Sequence, residues 1–226
     1  LRPEPDGVSA SVVDGKVILR VSRPGQYFVC INGKAGIEHP FFLFANPPEK
    51  GIPNEEDPGV HFFGPGVHTI GDKYRVRAGE IVYLAGGSLV QGSIHYEGDG
   101  VRICGRGILS DRSAMQDRIA RAKVDLEAGD RHPWDHNHDQ RYAAKVATIY
   151  GFGKDAIIEG ITIIDSPFYM VRLDGPGATI RNVKLISDLY NNNGIIAGTR
   201  HQILDSFFKV EDDVFCWMAP LSLMRS

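Results

Sequence analysis

The sequence predicts an all-β fold, a right-handed parallel β-helix (solenoid) preceded by a small antiparallel β unit. The first observation behind this is an internal repeat. Val101–Ser110, Ala156–Asp165, Ala178–Ser187 and His201–Val210 each read as a short apolar strand, a polar or glycine corner, and a second short apolar strand; the last three begin 22 and 23 residues apart. The second is the length of the period, which leaves no room for a helix in each copy and so indicates a stacked solenoid. The third is the scarcity of helical periodicity along the chain. Leucine-rich repeats share the period but need a Leu-x-x-Leu-x-Leu frame that is missing. An antiparallel sandwich with evenly spaced strands is the alternative architecture.

Taken in order, the elements fall into two domains. Residues 1–50 form a small N-terminal β-sandwich-like unit. Val8–Val13 and Lys16–Val21 flank Asp14-Gly15, a hairpin signal because both turn residues tolerate the positive φ that tight hairpin turns need. Gly25–Ile31 and Phe41–Ala45 supply two further strands. Asn46-Pro47-Pro48 through Asp57-Pro58-Gly59 is a boundary loop. Residues 58–226 form the parallel β-helix. Its entry rungs are very short strands broken by glycine: Val60–Phe63, Val67–Ile70, Tyr74–Val76, Glu80–Leu84 and Gly86–Val90. A solenoid end exposes unpaired strand edges, so the N-terminal unit is expected to cap one end. One rung carries an insertion at about 111–143. Within it Ser113–Glu127 has Met115, Ile119, Ala122 and Leu126 at helical spacing. His132-Pro-Trp-Asp-His-Asn-His-Asp139 follows, the densest polar and aromatic cluster in the chain. Trp134 offers a flat apolar face beside the hydrogen-bonding groups of His136 and His138, as a sugar-contacting loop requires. A metal site from His132, His136 and His138 and a plain solvated loop are the other readings; the spacing fits no familiar ligand frame, so no metal is assigned.

Composition sets further bounds. The 226 residues, 42% of them hydrophobic, suffice for one large core or two modest ones. A formal net charge of −3 with interspersed signs gives no basic stripe, so nucleic acid is not an expected partner. No apolar run approaches membrane-spanning length, and no membrane partner is expected. Cys30, Cys104 and Cys216 form no C-x-x-C and cannot all pair; they read as small buried hydrophobes. No cofactor motif is present. The opening Leu1-Arg-Pro-Glu-Pro is neither an initiator Met nor a signal peptide, and is expected to be a processed or subcloned start.

The chemistry is expected near the C-terminus. Tyr190-Asn191-Asn192-Asn193-Gly194-Ile195 and Ser206–Phe215, with its Asp212-Asp213 pair, occupy the same point of two successive repeats. Adjacent rungs lie about 4.8 Å apart, so side chains leaving one face of both can reach the separation that glycoside hydrolysis requires of its acid and base. Adjacent carboxylates repel, which raises the apparent pKa of one and can hold a proton for a leaving group. The other reading of these residues is a polar turn, with Asn191 to Asn193 satisfying backbone at the corner.

At these positions the chain resembles polysaccharide hydrolases with a right-handed parallel β-helix, the dextranase-like and polygalacturonase-like families. Those carry Asn-x-Asp-Gly on one rung and Asp-Asp on the next; here Asn191-Asn-Asn-Gly194 and Asp212-Asp213 stand in those places. Ser206-Phe-Phe-Lys-Val-Glu-Asp-Asp213, Phe44-Ala-Asn-Pro47, Phe63-Gly-Pro-Gly66, Val82-Tyr-Leu-Ala-Gly-Gly87 and Gly105-Arg-Gly-Ile-Leu109 are similar to the dextranase-like branch. The resemblance covers residues 25 to 217. It implies Asp212 as the general acid, Asp213 as the group that activates water, with inversion, and Asn193 in place of the family's third carboxylate. It also implies Asn191 and Lys209 as substrate contacts, a polysaccharide or oligosaccharide as partner, and a secreted or periplasmic location. An amide cannot take a proton from water at neutral pH. The chain also stops soon after Cys216-Trp217, whereas the family continues for many rungs. The end is expected to be a truncated, frame-shifted or natural short form, with self-association through an open C-terminal edge. Two alternatives to the hydrolase follow: a non-catalytic carbohydrate-binding β-helix, and a polysaccharide lyase in which the aspartate pair holds calcium.

Overall fold

Beyond the first fifty residues glycine, asparagine and aspartate corners recur, and the chain there coils rather than folding back on itself. The structure is a computed structural model that describes residues 7–29, 41–112, 147–189 and 192–217. They divide into two compact units, residues 1–50 and 51–226.

In the first unit, β1 (Val8–Val13) and β2 (Lys16–Val21) pair antiparallel, with Val13 opposite Lys16. The turn residues Asp14 and Gly15 have φ of 50° and 73°, the two positive values of a type I′ hairpin. β3 (Gly25–Val29) and β4 (Phe41–Ala45) form a second antiparallel pair, with Phe28 and Phe42 ring centroids 5.6 Å apart.

The second unit is a parallel solenoid of six coils and three faces. The first face stacks β5 (Val60–Phe63), β7 (Ile81–Leu84), β9 (Arg102–Gly105), β12 (Ile157–Glu159), β15 (Thr179–Arg181) and β18 (Gln202–Leu204). Two long strands, β6 (Gly66–Arg77) and β8 (Ser88–Glu97), run through both remaining faces. After them the second face continues as β10 (Ile108–Ser110), β13 (Thr162–Ile164), β16 (Lys184–Ile186) and β19 (Phe207–Lys209). The third continues as β11 (Ala147–Phe152), β14 (Tyr169–Leu173), β17 (Asn193–Ala197) and β20 (Phe215–Trp217). Every strand pairing in this unit is parallel.

Each face contributes one inward ladder. Val82, Ile103, Ile158, Ile180 and Ile203 align on the first face. Val90, Leu109, Ile163, Leu185 and Phe208 align on the second, and Ile94, Ile149, Val171, Ile195 and Phe215 on the third. The inner members are fully buried, and each buried aliphatic side chain contributes roughly 1.5–3 kcal/mol. The alignment of Ile158, Ile180 and Ile203 is the register that their equal places in the repeat predict.

Two glycine breaks behave differently from expectation. Gly71 falls in the break read between Val67–Ile70 and Tyr74–Val76, and Gly92 just past Gly86–Val90, yet β6 and β8 pass through both with only register shifts. Gly92 holds φ at 134°, and a Cβ there would run into the backbone of Gly71. A glycine in this region bends the chain between two faces without cutting the ladder of hydrogen bonds. From the third coil onward this corner opens into loops. Arg102 pairs with Ile157, a step of 55 residues, whereas Ile157 to Thr179 takes 22 and Thr179 to Gln202 takes 23. The extra chain leaves after Ser110 and returns at Ala147. The expected helix and most of the insertion lie outside the described residues, as does the tail from residue 218.

Candidate active site

The corner loops of the fifth and sixth coils, residues 187–192 and 210–214, sit between the second and third faces. Backbone hydrogen bonds lock one on the other. The amide of Asp212 donates to the Asn192 carbonyl at 3.2 Å, that of Gly194 to Asp213 at 2.9 Å, and that of Ile195 to Val214 at 3.0 Å. A Cβ at position 194 would press against the Val214 carbonyl, so the glycine permits this approach. Below, Asn192 is fully buried, and its Nδ2 donates to the carbonyls of Ser166 at 2.9 Å and Phe168 at 3.1 Å on the fourth coil. Asn192 thus satisfies corner backbone, a structural role of the kind considered for this asparagine run.

Asp212 and Asp213 are exposed, and Asn193, at 5% exposure, lies under them. The Cys216 thiol joins the two coils, with Sγ 3.5 Å from Asn193 Oδ1 and 3.6 Å from Asp213 Oδ2. Burial, then the charges of Asp213 and Asp212, push this thiol up to about 11. It is therefore a protonated donor at neutral pH. Cys216 was expected to be a buried hydrophobe; it is half-buried at the site, whereas Cys104 is buried as expected.

Beside this corner the outward side of the third face carries a column in which His95, Tyr150, Arg172, Ile196 and Cys216 align. Arg172 is 3% exposed and grips Asp174 through two hydrogen bonds, Nε to Oδ1 at 3.0 Å and Nη2 to Oδ2 at 3.3 Å. Its guanidinium lies 6.0 Å from the Tyr150 ring centroid, and the Tyr150 hydroxyl donates to Asp174 at 3.0 Å. Burial and Asp174 push the Tyr150 phenol up to about 12. Burial also raises Tyr169, against the lowering pull of Arg172, with smaller raising contributions from Cys216 and Asp212.

The structure brings Asp212, Asp213 and Asn193 together. Lys209 is on β19 beside them, and its Nζ pairs with Asp188 of the fifth-coil loop and with Glu211 at 3.3 Å. Both contacts raise its pKa. Asn191, Trp134, His136 and His138 lie outside the described residues. The segment holding the last three leaves and rejoins the solenoid at this same corner, on the third coil. Among the described residues no group of three or more His, Cys, Asp or Glu could hold a metal ion. Sequence reading missed Tyr150, Tyr169 and Arg172. The signal was there for two of them: Tyr150 and Arg172 stand 22 residues apart, each one place after a core residue, Ile149 or Val171.

No protein-family model matches this sequence, and no curated protein matches it. Among solved structures the chain is similar to a crystal structure from Parabacteroides merdae described as a "putative glycosyl hydrolase". The identity is 14% and the TM-score 0.44, over 71% of this chain and 80% of that one.

Proposed function

We propose that the chain is a glycoside hydrolase that cleaves the O-glycosidic bonds of a polysaccharide with inversion. The observation that carries the reading is the hydrogen-bonded lock between the two corner loops, which sets the Asp212-Asp213 pair directly over Asn192-Asn193. In this mechanism Asp212 protonates the leaving oxygen as the bond to the anomeric carbon breaks, and Asp213 takes a proton from the attacking water. Asn193 orients that water. The substrate is an α-glucan such as dextran or a pectic galacturonan, and the working location is secreted or periplasmic.

Asp212→Asn tests this. Hydrolysis, read as new reducing ends, should fall by about two to four orders of magnitude with thermal unfolding unchanged. Full activity in the variant would make the pair structural, and an ultraviolet-absorbing unsaturated product would indicate a lyase. A second reading, a carbohydrate-binding protein without turnover, is favoured by the amide at position 193, which cannot accept a proton. Glycan binding by the native chain with no release of reducing ends on any substrate would establish it.

A further inference from the structure

We infer that this corner selects an uncharged glycan and disfavours a polyuronate. The inference rests on the glycoside reading above and narrows its substrate class. A polyuronate carries a negative charge on every sugar, so its recognition needs cations free to receive carboxylates. On coils three to six, the described cations of this corner and of the outward side of the third face are already engaged. Arg112 Nη1 lies 3.2 Å from Asp165 Oδ2. Arg172, nearly buried, holds Asp174 with two hydrogen bonds under the Tyr150 ring. Lys209 is shared by Asp188 and Glu211. Releasing Arg172 to a substrate leaves Asp174 uncompensated beside a desolvated guanidinium, the costliest case; the Arg112 and Lys209 pairs involve exposed groups and hold their cations more weakly.

Asp212 and Asp213 add two exposed carboxylates, and the side-chain donor described for Asp213 is the uncharged Cys216 thiol. The segment 113–146 does not redress the balance, since it holds six Lys or Arg and six Asp or Glu. A polyuronate at this corner would therefore meet like charges within a screening length of about 8–10 Å. A neutral sugar meets instead the partly buried Tyr150 and Tyr169, with apolar ring faces and polar edges.

Two matched polymer pairs isolate charge from linkage: dextran against carboxymethyl-dextran, and methyl-esterified against de-esterified homogalacturonan. Dissociation constants of the full chain are measured by affinity electrophoresis at low and high salt. In whichever pair binds, the uncharged member should bind at least about tenfold tighter at low salt, a gap of about 1.4 kcal/mol, and the gap should narrow at high salt. The double variant Asp188→Asn, Glu211→Gln frees Lys209 and should close the gap several-fold, with folding checked by thermal melt. Equal or tighter binding of the charged member by the native chain at low salt overturns the inference and leaves the glycoside reading standing. Binding to none of the four polymers overturns that reading and this inference with it.

Discussion

In the proposed mechanism Asn193 stands where a carboxylate would take the proton from water, and it is an amide. Its Oδ1 and the Asp213 Oδ2 share the Cys216 thiol, so an isosteric carboxylate at this position would inherit a protonated donor and a water-activating place beside the pair. Asn193→Asp should therefore raise the rate of reducing-end release, and burial next to Asp213 should shift that gain towards higher pH. No gain in folded protein, across glucans and pectic substrates, would discard the missing base as an explanation. Lys184 allows a separate test of burial. Its Nζ donates to the carbonyl and Oδ1 of Asn182, both at 2.9 Å, yet burial and then Arg106 push it down to about 8 from 10.5. The folded chain thus loses this proton earlier than the unfolded one, so its contribution to stability rises with pH between about 8 and 10.5. Below that window the buried ammonium is a cost. Lys184→Met should stabilise the protein by about 1–3 kcal/mol at neutral pH, and the gain should shrink across the window when melting is followed against pH.

At the scale of the element, the two-residue corners between the first and second faces decide whether the coil closes. Gly160, Asn182 and Asp205 occupy equivalent corners at φ of 81°, 51° and 48°. Gly160 is the least replaceable, since a Cβ there would strike the Arg106 guanidinium and the Gly105 carbonyl. Gly160→Ala should cost about 1–3 kcal/mol, measured by chemical denaturation; a neutral result would mean that the corner relaxes. These corners, and the ladder they space, were legible in the sequence because Ile158, Ile180 and Ile203 each precede a Gly, Asn or Asp at constant distance. The continuity of β6 and β8 was not, because Gly71 and Gly92 look like breaks until backbone pairing shows the chain bending through them. The site divides the same way. Asp212, Asp213 and Asn193 carry a recognisable spelling, whereas Tyr169 and Arg172 acquire meaning only from the strands that pair beside them.

For the whole second unit, three ladders shared among six coils make stability close to a sum of neighbour contacts, and the coil that carries the long connection between β10 and β11 keeps the register of the next coil. The fourth coil joins β13 to β14 with residues 165–168 alone. Replacing residues 113–146 by a linker of that length should keep a cooperative thermal transition and the β-rich circular dichroism spectrum. If Trp134, His136 and His138 contact sugar, the shortened chain should also bind polysaccharide more weakly. Collapse of the fold would show that the excursion is part of the core, and unchanged binding would remove those three residues from the site.

The 55-residue step from Arg102 to Ile157 leaves the pairing on either side of it undisturbed. Both ends of the excursion are anchored in a register that neighbouring coils already fix, and doubling the length of such a loop costs only about 0.6 kcal/mol in closure entropy. The corner is therefore a socket. It can take a connection of another length at little cost in closure entropy, while the isoleucine ladder beside it keeps its register.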